Sequence, residues 1–107
     1  MSKGPEALFR DKVVVPWLKS IPNLKFFLKE SASIRGIPDI IGCCNGKFFA
    51  LELKASEKEF RKRNPRKALQ QYFQVQWEEV GAFVRFVYPE NWPDTKEALA
   101  QHCFFQS

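Results

Sequence analysis

An Asn-Gly pair between two apolar runs is the feature that most limits how this chain can fold. Asn45-Gly46 separates residues 36–44 from residues 47–54, and both stretches have the composition of β-strands. A two-residue type I′ turn needs positive φ at both central positions, which Asn and Gly tolerate. The pair therefore predicts a β-hairpin with a fixed register, in which Asp39 lies directly opposite Glu52.

The predicted register brings two carboxylates together on one face of the hairpin. Asp39 and Glu52 form a pair whose side chains are close, and Lys54 points to the same face because strand side chains alternate. Like charges placed opposite each other destabilise a strand pair, so the arrangement requires a compensating interaction. A divalent cation between the carboxylates is the simplest one. The alternative is an ordinary cross-strand contact, with Lys54 in a salt bridge to either carboxylate.

The candidate metal ligands are hard oxygen donors. The carboxylates of Asp39 and Glu52, with the backbone carbonyl of Leu53 as a third ligand, favour Mg²⁺ over soft metals, and Mn²⁺ is expected to substitute for it. Such a metal would polarise a phosphodiester and lower the pKa of a bound water. Lys54 would orient or deprotonate that water, or neutralise the phosphate. No small-molecule cofactor is predicted besides the metal.

The excess positive charge of the chain lies in one segment. Residues 54–67 hold seven basic and two acidic residues, which accounts for the whole net charge of +5. This composition predicts a basic loop that leaves the strand carrying Glu52 and brings DNA to the site. A solvated charged loop is the alternative. The predicted DNA-binding residues are Lys58, Arg61, Lys62, Arg63, Arg66 and Lys67.

Chain length and cysteine content narrow the class of protein. The 107 residues fit one domain, predicted over 1–107. No apolar run is long enough for a membrane span and the N-terminus lacks a secretory signal, so a cytoplasmic location is predicted. An odd number of cysteines, two of them adjacent, is a poor disulfide framework, so Cys43, Cys44 and Cys103 are predicted to be buried thiols. A zinc site is disfavoured because the chain has one His and no CxxC.

Apolar periodicity and chain breakers predict the remaining elements. The predicted helices are 5–20, 68–80 and 95–100, and the further strands are 24–29 and 82–88, with a loop at 30–36. Pro16 kinks the first helix or ends it near Val15, Gly81 stops the second, and Thr95 caps the third. The order α-β-β-β-α-β-α predicts an α/β fold with a mixed sheet. Both faces of the hairpin are largely apolar, which predicts helices on each side.

Several of these residues match a known nuclease signature. Pro38-Asp39 followed by Glu52-Leu53-Lys54 resembles the PD-(D/E)XK superfamily. A longer pattern resembles the VRR-NUC group: Gly36-Ile37-Pro38-Asp39-Ile40-Ile41-Gly42, then Glu52-Leu53-Lys54, then Gln70 followed by Phe73, Trp77 and Gly81. The resemblance covers about residues 6–88. It implies a restriction-endonuclease-like α-β-β-β-α-β core with a mixed sheet flanked by helices, to which this chain adds a short C-terminal helix.

The resemblance also implies an activity. It implies a Mg²⁺-dependent endonuclease that cuts branched DNA, such as a Holliday junction resolvase of recombination or repair. Small members of the group in bacteria and phages act as homodimers, which places the protein in a bacterial or phage-infected cell. Trp92, Leu99, Phe104 and Phe105 near the C-terminus either form the dimer interface or fill the core.

Site residues are carried over from the group at matching positions. Asp39 and Glu52 match the metal ligands, Lys54 the catalytic lysine, and Gln70 the helix glutamine that helps to hold the site. Gln71 is the alternative if the helix register slips by one residue. Glu6 matches, more loosely, an N-terminal glutamate that assists metal binding. Its other interpretation is a solvated residue that stabilises the helix dipole.

Two other functions are compatible with these residues. One is a DNA-binding module with a vestigial nuclease site, in which the basic loop holds phosphates and nothing is cut. The other is an accessory subunit whose apolar C-terminus docks on a larger nuclease or helicase. Cleavage by the purified protein would distinguish an enzyme from both.

Overall fold

The secondary structure of the chain is known from a computed structural model that describes residues 4–29 and 37–105. Its helices are α1 (Pro5–Phe9), α2 (Val15–Ser20), α3 (Glu57–Arg61), α4 (Pro65–Glu78) and α5 (Trp92–Phe104), and a π-helical segment, Arg10–Val14, joins α1 to α2. Its strands are β1 (Leu24–Leu28), β2 (Ile40–Cys44), β3 (Lys47–Leu53) and β4 (Phe83–Val87). The predicted loop at 30–36 lies outside the described residues.

The four strands form one mixed sheet in the order β1-β2-β3-β4. Strand β2 is antiparallel to both β1 and β3, and β4 is parallel to β3. A parallel neighbour needs a crossover connection, and α3 and α4 lie within it. Helices flank the sheet, so the predicted α/β class with a mixed sheet is confirmed.

The hairpin between β2 and β3 has the register that its turn residues predict. Ile40 is opposite Leu51 and Cys44 is opposite Lys47. Asn45 and Gly46 have φ of 51° and 79°, the left-handed values that a type I′ turn requires. The same register, continued by one residue beyond β2, places Asp39 opposite Glu52.

The N-terminal helix continues through Pro16. Helical structure extends to Ser20, as predicted for residues 5–20, and the alternative of an end near Val15 does not hold. Proline lacks an N–H and its ring clashes with the carbonyl four residues earlier, which a regular α-helix cannot accommodate. The turn before it is widened instead: the N–H of Val15 donates to the carbonyl of Arg10, five residues back.

The basic segment is more ordered than predicted. It contains α3, which begins after Ser56, whose side chain accepts a hydrogen bond from the N–H of Glu59. Helix α4 also begins earlier than predicted, at Pro65, because Asn64 caps it and proline suits a first helical position. The prediction of a loop throughout 54–67 was therefore wrong.

The ends of the last two helices show one correct and one wrong prediction. Gly81 has φ of 98° and lies just after α4, as expected for a glycine that stops a helix. Helix α5 begins at Trp92, three residues before the predicted cap. Thr95 lies inside it and donates its N–H to the carbonyl of Asn91. Thr95 is therefore not a helix cap.

The core lies on one face of the sheet. Ile40, Phe49 and Leu51 from this face are fully buried against the N-terminal helices and α5. Of the two uses left open for the apolar residues near the C-terminus, Trp92 and Leu99 have the second, since they belong to this core, whereas Phe104 and Phe105 are exposed. The opposite face is packed against α4 through contacts such as Phe48 with Trp77 and Gln74 with the carbonyl of Val84.

Helix α4 does not cover the whole of that opposite face. Near the turn and toward β1, Cys43 is exposed, and Ile41 and Phe48 are only half-buried. Phe27 in β1, opposite Ile41, is 78% exposed. The expectation of helices over both faces of the hairpin therefore holds for β3 and fails for the outer face of β1 and β2.

A disulfide bond joins Cys44, at the end of β2, to Cys103 in α5. The two residues are 59 positions apart in the chain, and the fold brings their Cα atoms to 5.4 Å. Cys43 is an exposed thiol, since neighbouring strand residues point to opposite faces. The prediction of three buried thiols was wrong. Among the described residues, no helix has the length and apolar character needed to cross a membrane.

Candidate metal and nucleic-acid site

A cavity of about 320 Å³ opens at the end of the hairpin that lies away from its turn. It is bordered by the start of α1, the residue after β1, the residue before β2, the end of β3, α3 and the start of α4. Its lining residues are Glu6, Lys29, Asp39, Glu52, Lys54, Ala55, Glu59, Lys62, Arg63, Asn64, Arg66 and Gln70. The structure thus brings the predicted acidic residues, the lysine and the glutamine together with part of the basic segment.

Asp39 is held through both its main chain and its side chain. Its carbonyl accepts a hydrogen bond from the N–H of Lys29 at 2.8 Å, which continues the β1–β2 ladder by one step. Its Oδ2 atom accepts the N–H of Leu53 at 2.8 Å. These two bonds fix the carboxylate at the cavity wall and place the main chain of Leu53 next to it.

Gln70 links Glu52 to Lys54. Its Nε2 donates to Oε1 of Glu52 at 2.7 Å, and its Oε1 accepts from Nζ of Lys54 at 3.3 Å. An amide is the neutral side chain that can donate to a carboxylate and accept from an ammonium group at once. Gln71 is exposed, so the helix register favours Gln70. The ammonium group of Lys54 also lies 5.9 Å from the centre of the Phe86 ring.

Glu52 is a buried carboxylic acid with one unpaired oxygen. The residue is 6% exposed, and its Oε2 has no hydrogen-bond partner. Burial, together with the negative charge of Asp39, raises the pKa of Glu52 to about 8. An unsatisfied buried oxygen beside a second carboxylate is a costly arrangement without a cation.

The residues present fit a hard divalent cation. Two carboxylates and a neighbouring main-chain carbonyl, with room for water in the cavity, are the donors that Mg²⁺ uses in proteins. Within residues 4–29 and 37–105, no group of three or more His, Cys, Asp or Glu side chains is arranged to hold a metal ion. The candidate set is therefore limited to Asp39, Glu52 and the carbonyl of Leu53, with water completing the coordination.

Glu6 lies at the rim of the same cavity. It is in the first turn of α1 and is exposed, yet it lines the wall that Asp39 also lines. Partial desolvation and the charge of Asp39 raise the pKa of Glu6, while Lys54, Arg10 and Lys29 act in the opposite direction. Its position would allow it to contact a bound metal through a water molecule. Among the described residues, it does not belong to a group of three acids arranged to hold a metal ion.

Lys29 is a site residue that sequence reasoning missed. Its Nζ donates to the carbonyl of Ile37 at 3.0 Å, and the residue lines the cavity beside Asp39. Its charge opposes the rise in the pKa of Glu52. The register of β1 against β2 would have revealed it, but the long connection between these strands leaves that register open in the sequence.

The basic segment divides into paired and unpaired side chains. Arg61 and Lys62 form ion pairs with Glu57 and Glu59 at 2.9 Å and 2.7 Å. Lys67 donates to the carbonyl of Phe60 at 2.7 Å. In the part of the chain that the structure describes, the side chains of Lys58, Arg63 and Arg66 have no hydrogen-bond or ion-pair partner, and Arg63 and Arg66 lie at the cavity.

The raised pKa of Glu52 predicts a pH-dependent stability. We expect the metal-free protein to lose stability as the pH rises from 4.5 to about 8, because folded Glu52 binds its proton more tightly than unfolded Glu52. The slope should reach at most about 1.4 kcal/mol per pH unit. Urea denaturation in a chelator, across this pH range, measures it.

The variant Glu52→Gln separates the titration of Glu52 from that of other groups. Glu52→Gln cannot ionise at this position, so its stability should depend less on pH than that of the wild type. The same change at Glu97, an exposed residue of α5, provides the matched control. Parallel pH profiles for the wild type and Glu52→Gln would contradict the assignment.

No protein-family model, curated protein or solved structure matches this chain. What can be inferred about function therefore rests on the residues of the chain itself. They combine the buried carboxyl group of Glu52 with the half-buried one of Asp39, a lysine held by a glutamine, and arginines with unpaired side chains, all at one end of a mixed sheet.

Proposed function

We propose that the protein is a Mg²⁺-dependent endodeoxyribonuclease of the PD-(D/E)XK type, close to the VRR-NUC group. We propose that it hydrolyses phosphodiester bonds in branched DNA, as a Holliday junction resolvase does, with Mn²⁺ able to replace Mg²⁺. The unpaired Oε2 of buried Glu52, beside Asp39 in a basic cavity, is the observation that carries this proposal. The mixed α/β sheet with flanking helices is compatible with a restriction-endonuclease-like core.

The metal would be held by Asp39, Glu52 and the carbonyl of Leu53. When bound, it supplies Lewis acidity toward a phosphodiester oxygen and a bound water. Before it binds, Glu52 must lose its proton, which its raised pKa opposes. Uptake of the metal should therefore release protons near neutral pH.

Gln70 holds the side chain of Lys54 in position at the site. Gln70 donates to Glu52 and accepts from Lys54, so it fixes both side chains by one amide group. The ammonium group is thereby kept at the cavity wall, where it can contact a phosphate or the attacking water. The rigid link costs little reorganisation when substrate arrives.

Arg63 and Arg66 are the side chains best placed to receive DNA. Both line the cavity and both are free of protein partners among the described residues. A guanidinium group without a carboxylate partner can bind a phosphate with two hydrogen bonds. Phosphate contacts fix the position of DNA without reading its sequence, which suits an enzyme selective for DNA structure.

A cleavage assay tests the proposal. Purified protein is incubated with a four-way junction, a flap, a splayed duplex and a linear duplex of shared sequence, with Mg²⁺, with Mn²⁺ or with a chelator. We expect metal-dependent cleavage of the junction at a higher rate than of the linear duplex. Absence of cleavage on every substrate with either metal would overturn the proposed activity.

A DNA-binding or accessory role is the second candidate function. Exposed Phe104 and Phe105 offer an apolar surface to a larger partner. Junction binding without cleavage in the same assay would select this candidate over the nuclease.

A further inference from the structure

Strand β1 ends the sheet and leaves a backbone edge open. Lys29 donates its N–H to Asp39, and Asn45 donates its N–H to the carbonyl of Asn23, so odd-numbered positions of the β1 ladder face β2. The N–H and C=O groups of Leu24, Phe26 and Leu28 therefore point away from the sheet. Within the described residues, no strand pairs with them.

The side chains of β1 are also those of an edge that has no neighbouring strand among the described residues. Phe26 and Leu28 pack against the core but stay half-buried, because the sheet does not continue past them. On the other face, Phe27 is 78% exposed beside a groove of about 720 Å³ that Ile41, Cys43 and Phe48 help to line. A single lysine commonly protects an edge strand, but an exposed phenylalanine beside it does not.

We propose that β1 pairs antiparallel with β1 of a second copy of this chain, about a two-fold axis at Phe26. Leu24 then lies opposite Leu28 of the second copy, and Phe26 lies opposite Phe26 of the second copy. The outward backbone groups of these residues satisfy one another, and the two four-stranded sheets become one sheet of eight strands.

The sequence of β1 is self-complementary in this register. Lys25 lies opposite Phe27 of the second copy, and Phe27 lies opposite Lys25 of the second copy. An ammonium group beside an aromatic ring is attractive, and the register avoids placing the two Lys25 side chains directly opposite each other. The match to itself favours a second copy over an unrelated acidic strand, which would leave Phe27 without a specific partner.

The same pairing sets the distance between the two sites. Lys29, which lines the cavity, is opposite Asn23 of the second copy, so the two Lys29 residues are offset by about 20 Å along the strands. If the proposed nuclease function holds, two cavities related by a two-fold axis can act on two strands of one branched substrate. The pairing itself does not depend on that function.

Sedimentation measures whether the chain forms this dimer in solution. The wild type should be a dimer at concentrations on the order of 100 μM, since short edge-strand interfaces are weak. Phe27→Lys places a lysine opposite Lys25 and should give a monomer. Its melting temperature should equal that of the wild type at low concentration, where both are monomers, because Phe27 is exposed in the single chain. Val80→Lys, the control, alters a residue that is 80% exposed on another surface and should remain a dimer.

A charge exchange tests the register. Adding Lys25→Glu to Phe27→Lys places opposite charges across the proposed pair, so the double variant should regain the dimer. Independently of any variant, the amide of Phe26 should exchange with solvent more slowly in the dimer. A monomeric wild type, or a Phe27→Lys variant that still dimerises, overturns the proposal. Failure of the double variant to recover overturns the register.

Discussion

Asp39→Asn is expected to slow cleavage of branched DNA by about three orders of magnitude while leaving DNA binding intact. The change removes a negative charge from the proposed metal site, where charge stabilisation is worth several kcal/mol, and about 4 kcal/mol corresponds to that factor. The side-chain oxygen of asparagine can still accept the N–H of Leu53, so the fold should persist. Arg63 and Arg66 are unchanged, so the affinity for DNA should be similar.

Single-turnover cleavage of a four-way junction in Mg²⁺, with affinity measured in a chelator, separates the two effects. Asp94→Asn in α5 makes the same chemical change at an exposed residue and serves as the control. If Asp39→Asn cleaves at the wild-type rate, Asp39 is not a ligand of the catalytic metal. If it loses binding as well as cleavage, the fold or the DNA surface has been damaged.

Removing the Cys44–Cys103 disulfide is expected to lower the free energy of unfolding by about 4 kcal/mol. The bond closes a loop with a sequence separation of 59, and a crosslink of that span restricts the unfolded chain by about this amount. Both cysteines are buried, so alanine is the appropriate replacement at each. The double variant Cys44→Ala/Cys103→Ala therefore tests the crosslink with little change in polarity.

Urea denaturation with and without a reducing agent provides the measurement. Reduction should shift the wild type toward the double variant and should leave the double variant unchanged. Cys43→Ala, at an exposed position, is the control and should behave as the wild type does. Equal denaturation midpoints for oxidised and reduced wild type would show that the disulfide contributes no stability.

The predictions that succeeded depend on short-range chemistry. Asn45-Gly46 determines its own turn, the turn determines the register, and the register brings Asp39 to Glu52 within one hairpin. The matched pattern runs from Gln70 to Gly81, and α4, which ends shortly before that glycine, presents Gln70 to Glu52. Each step needs only residues that are close in sequence or on one regular element.

The predictions that failed depend on the arrangement of distant segments. The disulfide requires α5 to pass the end of β2, which no local pattern shows. Lys29 reaches the site only because β1 pairs with β2 in one particular register. Helix α3 is short and highly charged, so its apolar periodicity is too weak to predict. The passage through Pro16 depends on a π-helical turn, which a search for regular α-helix does not anticipate.

Strand β2 is held at both ends by interactions with other parts of the chain. Its far end is joined covalently to α5 through Cys44, and its near end is fixed by the hydrogen bonds of Asp39 with Lys29 and Leu53. If a bent DNA pulled on the cavity, the force would be transmitted along β2 and through the disulfide to α5. The two strands of the hairpin would then stay paired next to their turn. The distance between Asp39 and Glu52 should therefore stay the same when a bent DNA is bound at the cavity.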